Sequence, residues 1–320
     1  MITLNDIKKA RDRVGVLANR TYLDKSATFS KISGNEIYLK PENLQKTGAF
    51  KLRGAANYIL NMKAEGARVG GVITSSSGNH GQAVAYAAAY AGLPAVVVVP
   101  DYVSAAKVAA MQSYGAEVVY GDGLSTKRAA LARKLARERD LVFISPYDDP
   151  YIMAGQGTVG LEILEDLPDV DAVAVQIGGG GLIAGIATAI KESKPHIKVF
   201  GVEPKGSNSM YLSRKEGKRS ELSVIETIAD GLKTNIPGEL TFPVVQKYVD
   251  DILLVADEEI EDALFNLLER GKLLAETSGA TSLAAVLSGK LTLRDKKIAV
   301  IISGGNINLQ QVAEIINKKK

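Results

Sequence analysis

Lys51 stands in the segment Ala49-Phe50-Lys51-Leu52-Arg53-Gly54. Taken by itself such a lysine reads as a surface charge. Near an anion site it reads differently, because a held amine can form an imine with an aldehyde and then act as a base. The chain offers an anion site: Gly178, Gly179, Gly180 and Gly181 follow an apolar run and lead into a helical stretch starting near Leu182. Backbone N–H groups at a helix start converge on phosphate when no side chains intervene, and the helix dipole adds to the attraction. Four successive glycines cost backbone entropy that packing alone rarely justifies. Ser75-Ser76-Ser77-Gly78-Asn79-His80-Gly81 is a polar loop at another strand-to-helix junction, a setting suited to a carboxylate. Ser303-Gly304-Gly305-Asn306 closes a last apolar run.

Composition narrows the chemistry further. The chain has 320 residues and a net charge of +3, too small an excess to name a partner. It has no cysteine, which excludes disulfides, thiolate metal sites and thiol nucleophiles, and two histidines are too few for a multi-histidine metal site. Lys, Ser, Asp, Glu, Tyr, backbone amides or a cofactor must therefore carry any reaction. A nicotinamide-dependent dehydrogenase is the rival reading of the glycines, since Glu203 lies where a dinucleotide fold places its ribose acid. Its fingerprint is poor: the run gives G-x-G-x-x-A from Gly179 and begins in mid-chain.

These groups need elements to position them. From Gly71 onward, short apolar runs over 72–73, 95–99, 117–120 and 141–144 alternate with helical stretches over 80–90, 104–114 and 125–138. A second series puts strands over 172–177, 198–202, 252–255 and 297–302, with helices over 182–192, 258–271 and 280–287. Such a rhythm predicts parallel sheets with helices on both faces, in two α/β units meeting near residues 145–150. Asp257 is a candidate N-cap, and Gly115 a candidate helix stop. Residues 81–100 are uncharged, long enough for a membrane span, but Gly92 and Pro94 divide them into a helix and a buried strand. The N-terminal residues mix charges from Asp6 and lack a signal-peptide core, so a cytoplasmic location is the expectation.

The segment from Pro41 to Ala55, Pro-Glu-Asn-Leu-Gln-Lys-Thr-Gly-Ala-Phe-Lys-Leu-Arg-Gly-Ala, resembles a motif of the serine/threonine dehydratase and serine racemase family of fold-type II pyridoxal-phosphate enzymes. It departs at Ala49, where the family usually has Ser. The Ser75 to Ala83 loop, the tetraglycine and Ser303-Gly304-Gly305-Asn306 match the same family in order across nearly the whole chain. The resemblance implies a two-domain α/β fold like that of the tryptophan synthase β subunit, with parallel or mixed sheets. Residues 1–61 and 149–320 would form the large cofactor domain and 62–148 the small substrate-side domain. It places pyridoxal 5'-phosphate among Phe50, Lys51, Asn79, Gly178 to Gly181, Leu182 and Ser303, with Lys51 as its Schiff-base lysine and Asn79 on the ring oxygen. A neutral Ser303 hydroxyl at the pyridine nitrogen implies a weaker electron sink than a carboxylate would. Ser76, Ser77, Gly78, Asn79 and His80 would grip the substrate carboxylate, with Glu276 near the substrate. His80 itself reads as a structural hydrogen-bonding histidine, and Glu276 equally as a helix-entry charge.

The implied reaction is elimination of water from L-threonine or L-serine, giving a 2-oxo acid and ammonia. Serine racemisation is the alternative on the same scaffold, and by resemblance Ser77 is the acid on the opposite ring face that it needs. Threonine synthase and cysteine synthase share the lysine but differ in the substrate loop. The family racemases hold a cation near a Glu-Pro segment, which would put Glu203 and Ser207 at a divalent or monovalent site here. Ser209 stands where those racemases have an acidic ligand. A homodimer or homotetramer acting on a small amino acid is implied, with no nucleic-acid or membrane partner.

Overall fold

The computed structural model describes residues 1–122 and 125–319. In chain order its strands are β1 (Asp24–Lys25), β2 (Glu36–Pro41), β3 (Gly71–Ser75), β4 (Ala95–Pro100), β5 (Glu117–Gly121), β6 (Leu141–Phe143), β7 (Ala172–Gln176), β8 (Lys198–Pro204), β9 (Asp251–Val255) and β10 (Lys297–Ile302). They form two sheets, ordered β1-β2-β10-β7-β8-β9 and β5-β4-β3-β6. Every pairing is parallel except β1 with β2. The second sheet draws only on chain between residues 71 and 143, and the first only on chain before 42 and after 171.

The valine run of β4 is buried along its whole length, as a parallel strand covered on both faces must be. Residues 81–100 divide into the Asn79–Ala91 helix and β4, and among the described residues no helix is long and apolar enough to cross a membrane. The Ala105–Ser113 helix stops where Gly115 takes a φ of +82°, as anticipated. Asp257 does not cap its helix. The N-cap is Ala256, whose amide donates to the Glu259 carboxylate at 2.6 Å, and the Asp257 carboxylate instead accepts from the Thr227 hydroxyl and the Ile228 amide.

Two helices hold the fold together, the expected one after the glycines and one that the sequence pattern does not reveal. Pro150–Asp166, capped by Asp149, packs along Gly181–Ser193. Their glycines bring the backbones close: a Cβ on Gly185 would stand 2.3 Å from the Met153 carbonyl oxygen. One hydrophobic cluster packs the second sheet's stretch of chain against residues before and after it. It joins Val14, Leu17, Leu52, Ala55 and Ile59 to Val72, Val84, Val97 and Ile152.

Candidate active site

The Lys51–Ala64 helix begins without a side-chain cap, so tertiary contacts fix its first turn. The Phe50 amide donates to the Ser303 carbonyl at 3.0 Å, the Gly305 amide donates to the Gly48 carbonyl at 2.8 Å, and Ala49 bridges Gly304. Two residues beyond Lys51, the buried Arg53 guanidinium meets Glu42 at 2.7 Å and Glu162 at 2.6 Å. Lys40, fully buried, adds a second cation on Glu162 at 2.6 Å. Two positive and two negative charges thus neutralise one another beneath the helix start. Lys51 emerges half-buried in a cleft, its Nζ donating to the Pro146 carbonyl at 2.6 Å and lying 5.1 Å from the Phe50 ring centre. Desolvation draws its amine down to about 8, against the pull of the nearby Glu276 charge.

Facing Lys51 is a fixed chain of polar groups. Asn79, first residue of its helix, donates through Nδ2 to Glu276 Oε1 at 2.6 Å and accepts at Oδ1 from Asn306 Nδ2 at 2.8 Å. Asn306 Nδ2 also donates to the Thr47 carbonyl at 2.8 Å. With an acceptor on one side and a donor on the other, the Asn79 carboxamide has one orientation, which leaves an Nδ2 hydrogen for a ligand. Burial raises the Glu276 carboxyl to about 7; Asn79, Lys107 and Lys51 oppose the rise, and Asp230 adds to it. Glu276 occupies the N-cap position of the Thr277–Leu287 helix but makes no capping bond with its side chain.

The tetraglycine turns the chain from β7 into the Gly181–Ser193 helix, with Gly180 at a φ of +95°. Side chains have no room there. A Cβ on Gly179 would meet the Tyr147 ring at 2.4 Å, one on Gly180 the Met210 and Thr241 side chains at 2.8 Å, and one on Gly181 the Tyr147 backbone at 2.9 Å. The Thr241 hydroxyl donates to the Gly179 carbonyl at 2.6 Å and so holds the loop. The free amides of the helix's first turn, Leu182 included, open on the cleft.

A single cavity of about 540 Å³ brings together Phe50, Lys51, the Ser75 to His80 loop, Gly178 to Leu182, Glu276 and Ser303. Ser303 is buried directly after β10, and Ser77 is the exposed hydroxyl of its loop. Ser76 accepts from the Gly78 amide at 3.2 Å. His80 is buried, with Nε2 on the Ile144 carbonyl at 3.3 Å, the setting of a structural histidine. Glu203 and Ser207 are absent from the cavity lining. Both Glu203 oxygens accept backbone amides, from Met210 at 3.0 Å and Tyr211 at 2.8 Å, while Ser207 donates to the Leu232 carbonyl at 2.8 Å. The Glu203 carboxylate thus receives the first amides of the Ser209–Glu216 helix, and among the described residues no group of three or more acidic or histidine side chains is placed to hold a metal. Sequence reasoning missed the Pro146 carbonyl, Tyr147 and Thr241. They stand in irregular or weakly patterned stretches where no local signal marks them.

Residues 16–304 match the family model described as pyridoxal-phosphate dependent enzyme. The chain belongs to this family. It is 46% identical over 318 residues to an L-threonine ammonia-lyase of Thermotoga maritima, covering 99% of this chain and 79% of that protein. A catabolic L-threonine dehydratase of Staphylococcus aureus is 41% identical, with 99% and 92% covered. Among solved structures, serine racemase of maize superposes with a TM-score of 0.94 at 38% identity, over 99% of this chain and 98% of that one. The family match, with its fold and cofactor, overturns the dinucleotide reading of the glycines. The cleft also fits pyridoxal phosphate chemically: a side-chain-free helix start for the phosphate, an amine of lowered pKa for the aldehyde, and an oriented amide and a hydroxyl for the ring.

Proposed function

We propose that this protein is an ammonia-lyase that converts L-threonine and L-serine to 2-oxobutyrate and pyruvate with release of ammonia. The observation that carries the reading is the Lys51 amine, drawn down to about 8 and aimed into a cleft it shares with the tetraglycine helix start and the pinned Asn79 amide. Bound pyridoxal phosphate supplies an aldehyde that links to amines and a ring that accepts electrons from the substrate Cα. Lys51 would hold the cofactor through its amine and would serve as the base for the substrate Cα proton. Gly178 to Leu182 would bind the phosphate through their amides, the remaining Nδ2 hydrogen of Asn79 would serve the ring oxygen, and Ser303 the pyridine nitrogen. Ser76 to Asn79, at a helix start, bind the substrate carboxylate, with Phe50 flanking the ring.

Two features support the rest of the assignment. The segregation of the two sheets supports a large domain of residues 1–61 and 149–320 and a small one of 62–148 that closes on the substrate. The resemblance of the site motifs to the family supports a homodimer or homotetramer. The test is 2-oxo acid release from each amino acid by the wild-type protein and by Lys51→Ala. Turnover that disappears with Lys51 is expected; full turnover by the variant would defeat the assignment.

One observation favours serine racemisation as a second activity. Ser77 presents an exposed hydroxyl to the same cleft, where it can return a proton to Cα on the face opposite Lys51. Ser77→Ala should then lose D-serine formation far more than oxo-acid release, and intact D-serine formation would remove Ser77 from that role.

A further inference from the structure

Gln176 closes β7, one strand away from Ser303. The parallel register that sets Val300 beside Ala174 brings the ends of β10 and β7 out together at the floor of the cleft. Gln176 is buried and lines that cleft. Its Oε1 accepts from the Ser282 hydroxyl at 2.6 Å. Ser282 is itself completely buried within the Thr277–Leu287 helix, so two elements each commit a polar group to the core in order to hold this carboxamide in place. The other end of the amide has no counterpart: Nε2 is buried and makes no hydrogen bond in the protein.

An amide donor held in the interior with nothing to donate to carries an uncompensated desolvation cost. Its neighbours Val175 and Ile177 are apolar and fully buried, so the strand end has no general need of a polar side chain. Such a group makes sense when a ligand acceptor completes it. We propose that Gln176 is a further cofactor contact, donating an Nε2 hydrogen to the pyridine-nitrogen edge of pyridoxal phosphate beside the Ser303 hydroxyl. This rests on the assignment of Ser303 and the tetraglycine cleft to the cofactor. Two neutral donors then face that edge, and the ring nitrogen stays unprotonated. A carbanion at Cα is stabilised less, which favours prompt expulsion of the β-hydroxyl over reprotonation.

Titration of the apoprotein with pyridoxal phosphate, followed by absorbance and by melting with and without cofactor, tests the contact. Gln176→Leu should weaken cofactor binding about tenfold and shrink the rise in melting temperature that the cofactor brings. Gln176→Glu should change the absorption spectrum of the bound cofactor, because a carboxylate can share a proton with the ring nitrogen. Ser282→Ala, which keeps the glutamine but unlocks it, should weaken binding in the same direction and serves if Gln176→Leu does not fold. Dissociation constants within about twofold of wild type, with unchanged spectra, would overturn the inference. Failure of the wild-type protein to bind the cofactor would instead bring down the site assignment beneath it.

Discussion

Burial draws the His80 imidazole down to about 3, the Lys51 charge adds to the effect, and the bond to the Ile144 carbonyl opposes it. In the unfolded chain the ring titrates near its ordinary value of about 6.5. Because the folded value lies below the unfolded one, the neutral ring's contribution to stability is fully present above about 6.5 and is lost as pH falls toward about 3. Over that window the slope reaches about 1.4 kcal/mol per pH unit for this one group. Urea denaturation between pH 7 and pH 5 should therefore weaken the wild-type protein more than His80→Gln. Parallel losses in the two proteins would show that His80 takes up its proton without unfolding. The same loop illustrates how adjacent residues divide their work: Asn79 faces the cleft through an amide fixed from two sides, while His80 ties its helix to the strand end at Ile144.

Among the elements, the tetraglycine turn is the one whose backbone dictates its sequence. Gly180 takes a φ of +95°, and an added Cβ would reach the Met210 and Thr241 side chains at 2.8 Å. Gly180→Ala should cost about 1–3 kcal/mol in backbone strain. It should also weaken cofactor binding by displacing the amides of the helix start, as equilibrium dialysis of pyridoxal phosphate would measure. Unchanged affinity would mean that the phosphate does not depend on this turn. The alternating strands and helices after Gly71 were legible because buried parallel strands are short apolar runs. The Pro150–Asp166 helix was not, since it is buried on nearly every side and shows no amphipathic stripe. Asp257 misled for another reason: a carboxylate at a helix start also satisfies a neighbouring loop, and here Thr227 and Ile228 claim it.

Across the whole molecule, the four-charge cluster of Lys40, Glu42, Arg53 and Glu162 ties β2 and the Lys51 helix to the Pro150–Asp166 helix. Removing one member strands its partners, so Arg53→Met should destabilise the fold by about 3–5 kcal/mol and lower cofactor retention with it. Chemical denaturation would measure the first effect, and a loss under about 1 kcal/mol would mean the cluster is dispensable. Closure of residues 62–148 over substrate should reduce the radius of gyration in X-ray scattering when a non-reacting amino-acid analogue is added. An unchanged radius would argue for a cleft formed in advance. By itself the sequence determined which parts the proposed chemistry would use: Lys51, the Asn79 loop, the four glycines and Ser303 are local motifs that sequence alone marks out. Only the tertiary structure decided how those parts act. Glu162 lies 109 residues from Arg53 and Glu276 lies 197 from Asn79, and spacing cannot foretell which distant charges meet or how far burial shifts them. The reason is physical: desolvation and hydrogen-bond orientation belong to the packed interior, which exists only once the two sheets and their helices have come together.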